Sequence, residues 1–571
     1  MFTRRSSTIT LLCGLALLPT LALGQPAARL DRSLAEAQRE GRSSRVIVKA
    51  RAGYRAWLKQ QLAARGKHVG AEHESIDALS VELTAAEVEA VCGDPATNGC
   101  SVDAVVSPSA SFSRPGADDP VASNMALAAL GLSTGRRAGA GVTVALIDSG
   151  IHPSAAFAGR VKAFFDFTRA GTLRSAPYDD YGHGTHVAGL IGGRQHGDDR
   201  AMQGVAPLVQ FVGLKVLDAT GRGRTSDVIR AIEFAVANRR RLGIDIINLS
   251  LGHPIFEAAA TDPLVQAVEQ AVRSGIIVVA SAGNYGVGAS GQVGYAGITS
   301  PGNAPSAITA GAFNHNGTAG RGDDRVSPYS SRGPTWYDGL AKPDFVAPGH
   351  MLPSELAPGS ALAESHPALV VAGPSGKPFL RLSGTSMAAG VTSGLVALLK
   401  DELPALTPNL AKALLQFTAL PLTDENGVAY HVLAQGTGAA NGEGALRLAS
   451  AIDRRVTDVE QTWLAMAHCD GGLRDEGVAS PCQTIVGGQA YAWAGNIVWG
   501  DNIVWGDSVF YNLPVWGLNI VWGDNIVWGD NIVWGDNIVW GDTAAGQNIV
   551  WGDNIVWGDN IVWGDNIVWG E

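Results

Sequence analysis

Short apolar runs alternate with amphipathic segments through the middle of the chain. The apolar runs predict buried strands at Val142–Ile147, Phe211–Leu217, Ile244–Leu249 and Ile276–Ala280. Strands that are apolar on both faces are typical of a parallel sheet covered on both sides. We therefore predict one large α/β domain, with a doubly wound, mostly parallel sheet flanked by helices, over residues 120–455.

The helices between these strands carry clear start signals. Asp262 followed by Pro263 is typical of an N-cap and first helical position, and Thr407-Pro408 begins a second helix in the same way. The first of these helices places its apolar residues on one face, at Leu264, Val265, Val268 and Val272.

Residues 25–115 have the pattern of a smaller α+β domain followed by a linker. Arg45–Lys49 and Leu79–Leu83 predict strands, Ala56–Ala64 predicts a helix, and Ala85–Val91 predicts a helix capped by Thr84 and Glu87. Ser107–Pro120 is rich in Ser, Pro, Gly and Asp, which predicts an exposed linker.

Residues 1–24 are typical of a secretory signal peptide. Arg4 and Arg5 precede an apolar stretch, and Ala22-Leu23-Gly24 matches a small-x-small cleavage site. The stretch is shorter than a membrane span and Pro19 interrupts it. We therefore expect a secreted protein without a transmembrane segment.

Residues 496–571 are a repeat of Asn-Ile-Val-Trp-Gly-Asp, with ten copies of Asn-Ile-Val-Trp-Gly. A period of six places every Ile and Trp on the same face of an extended strand, which predicts a β-prone tail. A surface or polymer contact through this tail and an array without any ligand both remain open. Residues 456–495 are a linker that contains a pair of cysteines.

Composition and charge exclude some classes of protein. Apolar residues make up 46% and charged residues 17%, as in folded domains. The net charge is −11, and the tail holds nine Asp and one Glu without Lys or Arg. The preceding residues are therefore almost neutral, which argues against nucleic-acid binding through phosphate contacts.

Four cysteines remain after removal of the signal peptide. An even number in an exported chain favours disulfides, and the simplest pairing is Cys92–Cys100 and Cys469–Cys482. Metal binding is the competing interpretation, but His468 alone lies at ligand spacing.

Three segments contain candidate catalytic residues, and each is a weak signal of function by itself. Asp148 is the last residue of the predicted strand in segment 143–150, His183 lies among glycines, and Ser386 stands where a helix would begin. A serine hydroxyl needs an imidazole to take its proton, and the imidazole needs a carboxylate to orient it. The carboxyl edge of a parallel sheet can bring all three together.

Asn284 follows another apolar strand. Its amide could donate to a developing oxyanion, beside the backbone N–H of Ser386. The order Asp, His, Ser, without a G-x-S-x-G turn, argues against a lipase or esterase. His186 could suggest a metal site with His183, but there is no HExxH and no third ligand, so we expect a packed or hydrogen-bonded His186.

Seven motifs occur in the order found in the subtilisin-like serine proteases, the subtilases, and the chain resembles this family over roughly residues 120–455. The matching segments are ALIDSGI (Ala145–Ile151), GHGTHVAG (Gly182–Gly189), GVAP (Gly204–Pro207), INLSLG (Ile247–Gly252), SAGN (Ser281–Asn284), KPDFVAPG (Lys342–Gly349) and GTSMAAG (Gly384–Gly390).

The resemblance implies a serine endopeptidase that forms an acyl-enzyme on polypeptide substrates without a cofactor. Ser386 would be the nucleophile, His183 the general base, Asp148 the orienting carboxylate and Asn284 the oxyanion donor. Structural calcium is frequent in the family, but no ligand set is specific enough to assign. Two strands would flank the specificity pocket and bind an extended peptide, with the residues Ser250, Leu251, Gly252, Ser281, Ala282 and Gly283.

These two strands carry no charged residue, which favours an apolar side chain at the cleavage position. Residues 25–115 resemble the family's propeptide, which would inhibit the protease until self-processing cuts within Val105–Val121. An independent binding domain is the alternative there. The rival for the whole chain is a surface-binding or structural protein that uses the protease-like domain as a scaffold.

Two departures from the family pattern stand out. Gly390 occupies the position where a Pro usually follows the nucleophile, and its presence is expected to loosen the helix start at Ser386. Residues 350–383 are longer than the corresponding link in compact members, which predicts a surface insertion.

Overall fold

A computed structural model describes residues 30–110, 125–132, 137–169, 173–288, 290–318, 320–451 and 483–494, together with short strand segments after residue 495. The predicted signal peptide, Cys469 and Cys482 lie outside these residues, so the second disulfide stays a prediction. Within the described part of the chain, no helix combines the length and apolarity needed to cross a membrane.

The N-terminal domain is an antiparallel sheet with helices against it. Its elements are α1 (Arg32–Arg39), β1 (Ser44–Ala50), α2 (Arg55–Ala64), β2 (Val69–His73), β3 (Ala78–Leu83), α3 (Ala85–Cys92), β4 (Thr97–Val102) and β5 (Val105–Pro108). The sheet order is β2-β3-β1-β4. Thr84 and Glu87 form the predicted capping box at the start of α3. The Cys92–Cys100 disulfide joins α3 to β4, as predicted.

The central domain follows the predicted alternation of strands and helices. Its elements, in chain order, are α4 (Ala126–Ala129), β6 (Thr143–Asp148), β7 (Val161–Asp166), β8 (Leu173–Arg174), α5 (His183–Gly192), β9 (Gln210–Lys215), β10 (Gly223–Arg224), α6 (Thr225–Ala237), α7 (Arg239–Leu242), β11 (Ile246–Leu249), β12 (Leu251–Pro254), α8 (Pro263–Arg273), β13 (Ile277–Ser281), β14 (Thr299–Ser300), β15 (Ile308–Asn314), β16 (Arg325–Val326), β17 (Phe345–Pro348), β18 (Leu352–Glu355), α9 (Ala361–Ser365), β19 (Val370–Ala372), β20 (Pro378–Leu382), α10 (Thr385–Glu402), α11 (Pro408–Phe417), α12 (Val432–Gln435) and α13 (Gly442–Ala451).

The main sheet has the order β16-β15-β13-β11-β6-β9-β7-β8, and β17 also pairs with β15. Its central pairs are parallel, whereas β16 and β8 pair antiparallel at the edges. Alternate residues of β6 face opposite cores: Val144 and Leu146 pack with α5 and α10, and Ala145 and Ile147 pack with α6 and α8. The sheet is therefore covered on both faces, which confirms the predicted α/β fold.

The N-terminal domain lies against α6 and α8. Ile47 and Ala78 of its sheet join the core formed with these two helices. Asp103 accepts hydrogen bonds from the backbone N–H and the hydroxyl of Ser226, at 2.9 and 2.8 Å, and so caps the start of α6. The interface is thus partly apolar and partly a helix cap supplied by the other domain.

Strand β5 overturns part of the linker prediction. Residues 107–110 do not begin a free linker: Val105–Pro108 pairs antiparallel with β10 on one side and with β12 on the other. Ser109, which follows, is 8% exposed. Both neighbours lie far along the chain, so local composition carries no sign of this pairing.

After α13, β21 (Gln483–Val486) and β22 (Gln489–Ala492) form an antiparallel hairpin. The described parts of the repeat are short strands. They are β23 (Asn496–Trp499), β24 (Asn502–Trp505), β25 (Ile538–Trp540), β26 (Val550–Trp551), β27 (Ile555–Trp557), β28 (Val562–Trp563) and β29 (Ile567–Val568). β23 and β24 pair antiparallel, and the later segments pair in parallel as β25-β27-β29 and β26-β28.

Candidate active site

Asp148 and His183 form a buried pair at the carboxyl edge of the main sheet. Asp148 is the last residue of β6 and His183 the first of α5. Nδ1 of His183 is 2.8 Å from Oδ1 of Asp148, and both side chains are fully buried. A carboxylate in this position fixes the tautomer of the imidazole and leaves Nε2 to act on a proton.

Asp179 holds the start of α5 against the end of β6. Its carboxylate accepts from the Ser149 hydroxyl at 2.9 Å and from the backbone N–H groups of Gly182 and Thr185, both at 2.8 Å. It also accepts from the Thr185 hydroxyl at 2.6 Å. These four bonds join the segment after Asp148 to the turn that presents His183, so Asp179 is a positioning residue for the pair.

Ser386 is the second residue of α10 and is fully buried. Its hydroxyl donates to the carbonyl oxygen of Ser250 at 2.8 Å, and Nε2 of His183 has no hydrogen-bond partner among the described residues. The serine therefore points toward the β12 side of the cleft. α10 runs unbroken through Gly390, so the helix start forms without the expected Pro.

Asn284 lies just beyond β13, with its amide fixed by α10. Its Oδ1 accepts from the backbone N–H and the hydroxyl of Thr385, both at 3.1 Å. This leaves Nδ2 buried and without a partner among the described residues. A buried amide N–H that points into a cleft is available to an incoming oxygen atom.

Residues Val105–Ser109 occupy the cleft in the manner of a bound peptide. In addition to the strand pairing of β5, the Ser109 N–H donates to the carbonyl oxygen of Ser250 at 3.3 Å. The Ser281 hydroxyl donates to the Ser109 hydroxyl at 3.0 Å. Backbone pairing with the neighbouring strands, here β10 and β12, is the usual mode of binding an extended peptide by strand addition.

The carbonyl group of Ser109 lies where a reacting carbonyl is expected. Its oxygen accepts the backbone N–H of Ser386 at 3.1 Å. A Cβ atom at Gly384 would lie 2.4 Å from this oxygen and 3.1 Å from Nδ2 of Asn284. The oxygen and the amide therefore border the same small space. Gly384 leaves that space open, and its φ of 147° also favours glycine.

Most of the predicted peptide-binding residues line this bound segment. Leu251 and Gly252 pair with Pro108 and Ser107, while Ser250 and Ser281 contact Ser109 directly. The other two residues contact neighbouring parts of the protein instead. The Ala282 carbonyl oxygen accepts from the Thr299 N–H at 3.0 Å, and the Gly283 N–H donates to the Thr385 hydroxyl at 3.1 Å.

Comparison with known proteins covers the region of the chain that contains this site. The model of the subtilase family matches residues 139–444, more than half of the chain. The chain belongs to the subtilase family. This subtilase is 38% identical over 310 residues to the serine protease AprX of Bacillus subtilis (strain 168), a match that covers 53% of this chain and 66% of AprX. It is 33% identical over 383 residues to an alkaline protease of Shouchella clausii, which covers 66% of this chain and 81% of that protein.

The crystal structure of fervidolysin from Fervidobacterium pennivorans, a keratinolytic enzyme related to subtilisin, has a similar fold. The TM-score is 0.54 at 22% identity, and the match covers 71% of this chain and 61% of that chain. At this identity the likeness shows the fold alone. The subtilase family is a family of serine endopeptidases, whose catalysis needs no cofactor.

Two further features of this subtilase concern metals and protons. His186 is fully buried and its Nε2 is 3.0 Å from the Leu352 carbonyl oxygen. Burial lowers the pKa of His186 to about 3, so the ring is neutral. Across the described ranges, no group of three or more His, Cys, Asp or Glu side chains could hold a metal ion.

Two residues of the subtilase cleft were missed by sequence reasoning. Asp179 carried a signal, because an acidic residue shortly before a helix start is typical of a cap. Thr299 carried none, since it reaches the pocket through pairing with Pro254 and a backbone hydrogen bond to Ala282, both distant from it along the chain.

Proposed function

We propose that this chain is a secreted serine endopeptidase, made as a zymogen that cuts its own Ser109–Ala110 bond. The supporting observation is the Ser109 carbonyl oxygen, which accepts the Ser386 N–H at 3.1 Å in a cleft that also contains Asp148, His183 and Asn284. The N-terminal domain is then the propeptide, and β5 is the segment that inhibits the site until it is cut. Secretion rests on the predicted signal peptide.

The chemistry follows from the side chains that surround this carbonyl group. The Ser386 side chain turns from the Ser250 oxygen toward Nε2 of His183, which takes its proton as Oγ bonds to the Ser109 carbonyl carbon. The resulting oxyanion is held by the Ser386 N–H and Nδ2 of Asn284. His183 then passes the proton to the nitrogen of Ala110, the C–N bond breaks, and Ser109 remains as an ester on Ser386.

Water completes the reaction. It gives one proton to His183 and adds its oxygen to the ester carbon. The bond to Oγ then breaks, Oγ recovers the proton from His183, and Ser109 leaves with a free carboxylate. Asp148 stabilises the imidazolium that forms in each half of the reaction.

Intact-mass measurement of the secreted wild type beside Ser386→Ala tests this function. We expect the wild type to begin at Ala110 and the variant to retain the N-terminal domain. A wild type that begins elsewhere between Val105 and Val121 would contradict the assigned bond but not self-processing. The same N-terminus in both proteins, with no labelling of Ser386 by a fluorophosphonate, would contradict the proposed protease.

A further inference from the structure

Two side chains of strand β5 and the residue after it, Val106 and Ser109, occupy pockets of the cleft. Each repeat of the tail contains residues of similar size at the same spacing. Counted back from the Ser109–Ala110 bond, the first residue is Ser109 and the fourth is Val106. We propose that the Asn-Ile-Val-Trp-Gly-Asp repeats of residues 496–571 are substrates of this cleft, cut between Gly and Asp with Ile in the place of Val106. This proposal rests on the proposed function and names a substrate for the same site.

The pocket for the first residue is shallow. Thr299, which is 4% exposed, places its side chain between the two walls. A Cβ atom at Gly252 would lie 3.0 Å from Oγ1 of Thr299, and a Cβ atom at Gly283 would lie 2.8 Å from its Cγ2. The Thr299 side chain therefore fills the space between the segments that contain Gly252 and Gly283. A small residue such as Ser, Ala or Gly fits in front of Thr299, whereas a large apolar side chain does not.

The pocket for the fourth residue is apolar. Val106 is fully buried and belongs to the core that contains Leu217 and Leu251. A Cβ atom at Gly223 would lie 3.2 Å from Cγ2 of Val106 and 3.1 Å from Cδ2 of Leu217. A branched aliphatic side chain is held here by close packing, and a charged one would lose its hydration without a partner.

The two positions between these pockets are open. Ser107 is exposed and Pro108 is half-buried, while both keep backbone pairing with β12. Side chains of different size are therefore tolerated at the second and third positions. In the repeat these positions hold Trp and Val.

The repeat offers six registers, and one satisfies both pockets. Cutting after Gly places Gly first and Ile fourth. Cutting after Asp would bury a carboxylate in a pocket whose walls carry no charge. Cutting after Trp, Val or Ile places a large or β-branched residue against Thr299, and cutting after Asn places Trp in the pocket of Val106. The ten copies thus provide nine Gly–Asp bonds and one Gly–Glu bond.

The test uses the processed enzyme and synthetic peptides analysed by mass spectrometry. One peptide covers residues 525–542 with three repeats, and the reference peptide covers residues 103–113. We expect cleavage after Gly529, Gly535 and Gly541 in the first and after Ser109 in the second. Replacing each of these three glycines by Leu should lower kcat/KM at least about tenfold, because Leu meets Thr299. Enzyme with Thr299→Gly should recover most of that loss.

The outcomes separate the two proposals. If the reference peptide is cut and the repeat peptide stays whole, or is cut at another bond, the tail is not a substrate and a surface or polymer contact becomes its better explanation. If the processed enzyme, free of its N-terminal domain, cuts neither peptide, the proposed protease itself is wrong. Ser386→Ala, which should cut neither peptide, controls for a contaminating protease.

Discussion

The carbonyl oxygen of Ser109 accepts a hydrogen bond from the backbone N–H of Ser386 at 3.1 Å, although the two residues belong to different domains. The residue proposed to attack therefore already holds the atom that would become negative. The cleft is occupied by the chain's own strand β5. Substitutions in the cleft, at the interface between the two domains and in the N-terminal domain test the roles assigned to individual residues.

Asn284 is expected to act on the transition state rather than on binding. Asn284→Asp keeps an acceptor for both Thr385 bonds but replaces the Nδ2 donor by an oxygen, and Asn284→Ala removes the donor together with both Thr385 bonds. Loss of one oxyanion donor lowers kcat by about 10²–10³, so Asn284→Ala should show this loss with little change in KM, and Asn284→Asp, whose carboxylate repels the oxyanion, a loss at least as large. Steady-state kinetics on the peptide of residues 103–113 measures it. The exposed Asn426→Ala is the matched control, and an unchanged kcat would refute the role.

Asp179 is expected to act through His183. In Asp179→Asn one carboxylate oxygen becomes an NH₂ group, so the bonds from Gly182 and Ser149 or those from Thr185 lose their acceptor. Each unsatisfied donor costs about 1–3 kcal/mol. We expect a lower kcat and a displaced midpoint in the pH profile of kcat/KM. The exposed Asp198→Asn is the control. A variant that loses thermal stability but keeps the wild-type pH midpoint would show that Asp179 is only structural.

Glu257 is expected to make the stability of the uncut chain depend on pH. Burial between the two domains raises the pKa of its carboxyl group to about 7, and Asp262 adds to this, while Lys49 at 3.9 Å opposes it. Burial likewise raises the pKa of Asp31, across the same interface, to about 6. The protonated acid is thus favoured when the domains are joined. This stabilisation is complete below the usual pKa of 4.5 and is lost as the pH rises through about 7.

The Ser386→Ala zymogen should therefore lose thermal stability between pH 5 and pH 8. The contribution from Glu257 is at most about 3 kcal/mol. Adding Glu257→Gln should flatten the profile, because the amide does not titrate. The exposed Glu425→Gln serves as the control. An identical slope with and without Glu257 would refute its part in the interface.

The Cys92–Cys100 disulfide is expected to stabilise the N-terminal domain by restricting its unfolded chain. Replacing both cysteines by Ser in the Ser386→Ala zymogen should cost about 2–4 kcal/mol, near the low end because the closed loop is short. Denaturant unfolding followed by far-UV circular dichroism measures this as an earlier first transition. An unchanged midpoint in the double variant would show that the disulfide adds no stability.

Much of the fold and the candidate triad could be predicted because the signals are local. Strand and helix periods gave the main sheet, Asp262 with Pro263 gave the start of α8, and a capping box gave the start of α3. Asp148, His183, Ser386 and Asn284 each stand in a short motif at the end of a strand or the start of a helix. The strand ends and helix starts that carry these four residues meet at one edge of the sheet.

The proposed cleavage bond and the pocket depth could not be predicted, because both depend on pairing between distant segments. Ser107 and Pro108 have linker composition, yet they belong to a strand because β12 pairs with them and β10 pairs with the two residues before them. Thr299 enters the pocket because β14 pairs with the end of β12. Neither relationship leaves a trace in the local pattern of apolar and polar residues.

Because the strand in the cleft and the serine beside it are one molecule, the proposed self-cleavage would be unimolecular. Its half-time should be the same in dilute and concentrated solution, and an added competitive inhibitor must first displace a strand tethered at high effective concentration. Every later substrate arrives by collision and competes with the released strand. The rate of the proposed activation would therefore not depend on protein concentration, whereas the rate of later cleavage would depend on the concentration of substrate.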